Sequence, residues 1–201
     1  LTELTEGNYT TIEAAIRKTI SSGSNTHAGL LAGKKMLDDD TAVEPHRKHL
    51  IFVSDGVTYQ FCKEDDHTTP YTRSFDGNLI SNGVNQRGML SELNVQYGYS
   101  DKEEKTFIPK DSIDNWMSDI AGRMGTDNDN ENWDYQYTGE APTDNSKLLR
   151  SKENVSNVEK ALYLTESTYK AMQEKGYQCH AVLARETRQW GTAFMNRLAG
   201  G

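Results

Sequence analysis

Four large apolar residues in succession, Leu50-Ile51-Phe52-Val53, are followed at once by Ser54-Asp55-Gly56. An apolar run that ends in turn-forming residues is typical of a strand buried on both faces. Such strands occur in parallel sheets covered by helices, and the polar residues that follow them lie at the carboxyl edge, where open α/β sheets build their sites. The segment therefore favours an α/β fold in which Asp55 lies at the edge of the sheet where such folds build their sites.

On either side of this strand the sequence alternates between helical and strand patterns. Helices are predicted from Thr10, which forms a capping-box pattern with Glu13, and over about 26–37. Three more elements are predicted after residue 153: a helix from 154 to the stop at Lys175-Gly176, a buried strand over 177–184, and a helix over about 190–198. This order predicts a doubly wound, Rossmann-like, mainly parallel sheet flanked by helices. Two strands do not complete such a sheet, so we expect it to be incomplete in this chain.

The middle of the chain, residues 60–152, loses this alternation. The whole chain carries a formal charge of −8, and the middle contains 17 acidic against 10 basic side chains. We interpret it as an acidic insertion, or arm, between the parts of one domain formed by residues 1–59 and 153–201. The acidic excess argues against nucleic acid as the main partner, because phosphate binding needs clustered Lys and Arg.

Inside the arm we predict a helix over 112–124 and short strands over 78–83 and 91–97. Asp127, Asp129 and Glu131 alternate as in a calcium loop, but Asn132 stands where such a loop needs glycine. A solvated acidic loop is the favoured interpretation of that stretch.

A second polar segment precedes the helix over 26–37. It is Ser22-Gly23-Ser24-Asn25-Thr26, with Gly29-Leu30 shortly after. A hydroxyl from this segment and the Asp55 carboxylate are both oxygen ligands of the kind that Mg²⁺ prefers. The two segments together resemble the second and third parts of the metal-ion-dependent adhesion site of von Willebrand factor type A domains, including the family's strand that ends in a hydroxyl residue, Asp and Gly. The resemblance covers about residues 1–59 and 153–201.

The resemblance implies that Ser24 and Asp55 are metal ligands, while Thr26 and Ser54 are second-shell or capping groups. For Asp55 the alternative is a residue that caps the turn after a strand, as Asp-Gly pairs often do. Ser24 is equally compatible with a plain helix N-cap, and Thr26 more so. Ser24 stands where the family has Thr, and the family's first motif, Asp-x-Ser-x-Ser, does not occur in these residues. A bound Mg²⁺, Mn²⁺ or Ca²⁺ is therefore expected only if that motif is supplied from elsewhere.

Among relatives of this family, tip adhesins of Gram-positive pili and similar wall-anchored proteins carry large inserted arms. The resemblance thus implies an extracellular, cell-surface or wall-anchored adhesion module that is not an enzyme and binds a protein, such as a host matrix component. The alternative is an intracellular type A docking module of a chelatase- or ATPase-type assembly. No apolar run in the sequence approaches the length of a membrane span.

Two further patterns, a pair of histidines and a pair of cysteines, predict neither a zinc site nor a disulfide. His46 and His49 lie near each other without further zinc ligands, so a solvated strand entrance is favoured over a zinc site. Cys62 follows one predicted strand, whereas Cys179 begins the next. Parallel neighbours would place these two cysteines at opposite edges, which argues against a disulfide.

Overall fold

The structure, a computed structural model, describes residues 5–17, 25–58, 60–72, 112–126, 135–136, 155, 157–185 and 189–200. Within these ranges the protein is mixed α/β. Its helices are α1 (Tyr9–Arg17), α2 (Thr26–Asp39), α3 (Ile113–Thr126), α4 (Asn157–Glu174) and α5 (Gln189–Gly200). Its strands are β1 (His49–Ser54), β2 (Phe61–Lys63), β3 (Asp66–Thr72), β4 (Tyr135–Gln136) and β5 (Gln178–Leu183).

The two predicted strands pair with each other. β1 and β5 form a parallel, two-stranded sheet in which His49 is opposite Gln178 and Ser54 is opposite Leu183. A parallel pair needs a crossover, and α4 supplies it. The predictions of α/β character and of parallel pairing are confirmed at this level.

Among the described residues, side chains cover only one face of this sheet, contrary to the prediction that β1 is buried on both faces. Leu50, Phe52, Cys179, Ala181 and Leu183 pack against the helices. On the opposite face Ile51 is 68% exposed, Val53 58% and Val182 44%. The prediction is wrong here because, in the described part of the chain, the buried core lies on the helix side alone.

The inner face of α4 forms the centre of the core. The residues that recur at helical spacing along this face are all buried: Val158, Ala161, Leu162, Thr165, Tyr169 and Met172. The helix stops at Gly176, whose φ of 89° lies in the left-handed region that glycine tolerates. The predicted helix and its stop are confirmed.

The helix predicted inside the arm belongs to the same core. Trp116, Met117 and Ile120 of α3 are buried in one cluster with residues of α4 and α5. The Trp116 ring meets the Trp190 ring edge to face, with centroids 6.2 Å apart. At least this part of the arm is therefore integrated into the main body of the described structure.

An ion-pair cluster fastens α3 to α4. The buried Glu159 carboxylate accepts hydrogen bonds from Trp116 Nε1 at 2.9 Å and from the Arg123 guanidinium at 3.0 Å. Arg123 also pairs with Asp119 of its own helix at 3.0 Å. Because breaking a buried charge pair is far more costly than losing an exposed one, this cluster fixes α3 in place.

Element boundaries differ from the predictions at several points. The first helix begins at Tyr9 and not after Thr10, so Thr10 is already helical and is not an N-cap; Ile12 N–H bonds the Asn8 carbonyl. The helix α2 continues through Asp38 and Asp39, which were expected to follow it. The strands expected over 78–83 and 91–97 and the acidic loop at 127–131 lie outside the described residues.

Backbones approach closely where β1 ends. Gly56 has a φ of 78°, and a Cβ added there would lie 2.2 Å from the carbonyl oxygen of Gly191 in α5. A Cβ on Gly191 would in turn lie 3.1 Å from the Asp55 carbonyl oxygen. Gly56 therefore requires glycine for reasons of both conformation and space, and Gly191 leaves little room for a side chain.

We expect Gly56→Ala to lower the free energy of unfolding by at least about 2 kcal/mol, because it combines left-handed strain with a backbone clash. Gly29→Ala is the matched control, since a Cβ at this helical position meets nothing within 4 Å. That change should stabilise the protein by about 0.5–1 kcal/mol. Urea unfolding monitored by circular dichroism measures both; equal effects of the two substitutions would contradict this account.

Candidate functional site

The turn after β1 is held by its own side chains. Asp55 Oδ1 accepts the Val57 N–H at 3.0 Å, and Ser54 Oγ accepts the Gly56 N–H at 3.0 Å. Asp55 therefore caps the turn after the strand, which was the alternative to a metal ligand, and it uses one carboxylate oxygen to do so. Within the described residues, Oδ2 has no hydrogen-bond partner, so capping leaves one oxygen available.

The direction of α2 is fixed at its C-terminal end. Lys48, just before β1, donates from Nζ to the carbonyl oxygens of Leu37 and Asp40. Asp38 accepts from the Tyr177 hydroxyl at 2.6 Å and from Lys175 Nζ at 2.8 Å, just before β5. The C-terminus of α2 therefore lies at the amino edge of the sheet.

It follows that the N-terminus of α2 points toward the carboxyl edge. A helix of 14 residues and a strand of 6 residues are each about 20 Å long. The helix lies close to the strand, because a Cβ added at Gly33 would come within 3.0 Å of Leu50 Cδ1. The start of α2 and the Asp55 turn consequently occupy the same edge of the sheet.

The Asp38 carboxyl that anchors this helix is held ionised. Burial favours its neutral form, but hydrogen bonds from Lys175, Tyr177 and Lys34 outweigh that effect and hold the pKa of Asp38 well below its usual range. The hydrogen bond that the Tyr177 hydroxyl donates to Asp38 raises the pKa of that hydroxyl to about 12. The α2 anchor is therefore charged at neutral pH.

The residues at the start of α2 bond to neighbouring elements. Asn25 is the N-cap, with Oδ1 accepting the Ala28 N–H at 3.0 Å, and its Nδ2 donates to Cys62 Sγ at 3.3 Å. Thr165 donates its hydroxyl hydrogen to the Ala161 carbonyl, so the Thr26 hydroxyl donates to Thr165 Oγ1 at 3.0 Å. Thr26 is the first helical residue and links α2 to α4; the prediction that it caps the helix is wrong.

The described residues fit a divalent cation only in part. Asp55 contributes a half-buried carboxylate, but no group of three or more His, Cys, Asp or Glu among the described residues is arranged to hold a metal. Mg²⁺ takes six oxygen ligands, several of them often water. Ser24, the other predicted ligand, lies outside the described residues, so its two alternatives stay predictions.

His27 lies buried beside the start of α2, and no sequence pattern predicted a role for it. Its Nδ1 accepts the Cys62 N–H at 3.1 Å, so in the neutral ring Nε2 carries the hydrogen and donates to Thr168 Oγ1 at 3.2 Å. Burial lowers the pKa of His27 to about 4. His27 is therefore a neutral link between α2, β2 and α4.

The hairpin formed by β2 and β3 was also missed. Its signal is present: the apolar pair Phe61-Cys62 and Tyr71 flank the polar turn at Glu64-Asp65. Both cysteines are free, and Cys62 is buried with its thiol pKa raised by that burial.

Comparison with known proteins adds no assignment: no family model, curated protein or solved structure matches this chain. Among the helices that the structure describes, none is long and apolar enough to cross a membrane.

We predict that His27 makes the protein lose stability in mild acid. The unfolded chain takes up a proton on this residue near pH 6.5, whereas the folded protein does so only near 4. Between these values the unfolded state binds more protons, so the free energy of unfolding falls as pH decreases, by up to about 3 kcal/mol.

The measurement is urea unfolding at pH steps from 7 to 4. In His27→Gln this part of the pH dependence should disappear, while His46→Gln, at an exposed position, should behave as wild type. Asp38 acts in a lower window, since its stabilisation is lost only below its ordinary pKa of 3.8. An unchanged slope in His27→Gln would show that the histidine is not the responsible group.

Proposed function

We propose that this chain is part of a doubly wound, von Willebrand factor type A-like domain that acts as an extracellular, cation-dependent adhesion module. The observation that carries the proposal is the placement of Asp55. It follows a strand of a parallel pair, at the edge toward which α2 points its N-terminus. This is the edge at which α/β sheets bind ligands.

The Asp55 turn is suited to present a carboxylate in a fixed direction. Its Oδ1 accepts the Val57 N–H, and the backbone of the turn packs closely against Gly191 of α5. A carboxylate held in this way needs little reorganisation to bind a cation. We assign Asp55 and Ser24 as the ligands that this chain contributes, with Ser54 supporting the turn.

The remaining ligands must come from outside these 201 residues, since Asp-x-Ser-x-Ser is absent from them. When bound, Mg²⁺, Mn²⁺ or Ca²⁺ would supply an open coordination position for an oxygen of the partner. We propose a protein partner at the cell surface, such as a host matrix component, and no chemical reaction.

The acidic arm is the second part of the proposed binding surface. It carries most of the net charge of the chain, and its aromatic residues include Tyr71, Trp116, Trp133 and Tyr135. Trp116 is committed to the core and not to a partner. Aromatic residues elsewhere in the arm are the candidates for contact, since Tyr and Trp carry much of the binding energy at protein interfaces.

We predict that Asp55→Ala abolishes cation-dependent binding. The assay uses the complete domain, in which the remaining cation ligands are present. Its binding to immobilised matrix proteins is measured in Mg²⁺ or in EDTA, and Mn²⁺ binding is followed through water-proton relaxation. Asp65→Ala is the matched control, because it removes an exposed carboxylate in the β2–β3 turn. Loss in the first variant and retention in the second is the expected result; Mn²⁺ binding that survives Asp55→Ala would remove the metal from the proposal.

A further inference from the structure

A groove of about 920 Å³ lies between α2, the β2–β3 hairpin and α4. The side chains that matter for its chemistry are Lys34, Phe61, Lys63, Glu64, Tyr71 and Lys160. Asp55 and Thr26 do not line it, so it is separate from the proposed cation site. Its volume falls in the range of small-molecule sites, about 300–1,000 Å³.

One wall of the groove is aromatic. Phe61 and Tyr71 are opposite each other in the hairpin register, with ring centroids 6.4 Å apart and planes 20° from parallel. Phe61 is buried, whereas Tyr71 is half-buried at the groove. This pair offers a flat, apolar surface against which a planar body can pack.

Ammonium groups lie over both rings. Lys160 Nζ is 4.6 Å from the Phe61 centroid, and Lys63 Nζ is 5.2 Å from the Tyr71 centroid. Among the described residues, no carboxylate lies within ion-pair distance of Lys63. In this part of the chain its ammonium group faces the Tyr71 ring instead. A carboxylate or phosphate is a stronger partner for an ammonium than a ring face is.

The charge of the groove is opposite to that of the chain. Among the described residues that line the groove, three are lysines and one, Glu64, carries a carboxylate, while the whole protein carries −8. Lys34 shares Asp38 with Lys175, at 3.1 and 2.8 Å, so its charge is only partly compensated. A cleft lined by positive charges raises the local concentration of anions.

We propose that this groove binds a small organic anion, a carboxylate or phosphate attached to a flat apolar body. The acidic group pairs with Lys63 and Lys34 at the rim, and the body packs beside Tyr71. The proposal does not depend on the cation site, since the two sites share no residue that contacts a ligand.

The test uses the full chain and isothermal titration with four probes. Two carry both parts of the ligand, 1-naphthyl phosphate and 1-naphthoate; inorganic phosphate and 1-naphthol carry one part each. We expect at least one combined probe to bind roughly tenfold or more tighter than either part alone, because the ring surface and the ammonium act together. The tighter combined probe distinguishes phosphate from carboxylate.

Three variants locate the binding. Lys63→Gln should weaken the combined probe roughly tenfold. Lys35→Gln should leave it within twofold, since Lys35 is an exposed residue of α2 that pairs with Asp39 and does not line the groove. Val53→Thr tests the other apolar surface, the exposed sheet face, and should also have no effect.

The proposal is overturned if neither combined probe binds, if Lys63→Gln binds as wild type, or if Val53→Thr weakens binding in its place. Asp55→Ala should leave probe binding unchanged. A failure here is thereby distinguishable from a failure of the cation site.

Discussion

Parallel pairing of β1 and β5 is the constraint on which the described structure depends, because it obliges the chain to cross the sheet between them. The crossover helix α4 has to lie on one face, and its buried side then becomes the surface on which the other helices pack. α2, α3 and α5 all contact it. Charged residues on the buried side of α4 also bind the neighbouring helices. Glu159 binds Arg123 of α3, and Glu166 pairs with Arg197 of α5 at 2.8 Å.

Much of this architecture could be predicted from the sequence, because helical periodicity is strong in α4 and each of the two six-residue strands contains an apolar run. Val158, Leu162, Thr165 and Tyr169 recur at helical spacing and are all buried. Boundaries were less predictable. At the start of α1, Asn8 and Thr10 are both of residue types that often form N-caps, and the local sequence does not show which of them does so.

The burial of β1 shows a different limit. A continuous apolar run predicts that both faces are covered, but sequence pattern does not say which part of a protein supplies each cover. In the described residues Leu50 and Phe52 meet helices while Ile51 and Val53 are exposed. The same limit applies to the site: the pattern put Asp55 at a sheet edge, whereas the roles of Thr26 and His27 depend on contacts with α4 that are more than a hundred residues away in sequence.

The contact between Gly56 and Gly191 has a mechanical consequence. Most packed contacts contain side chains, which absorb small displacements by changing rotamer. Here two main chains meet directly, and neither residue has a side chain to rotate. A shift of the Asp55 turn is therefore passed directly to the first turn of α5, so whatever occupies the end of β1 also affects the position of that helix.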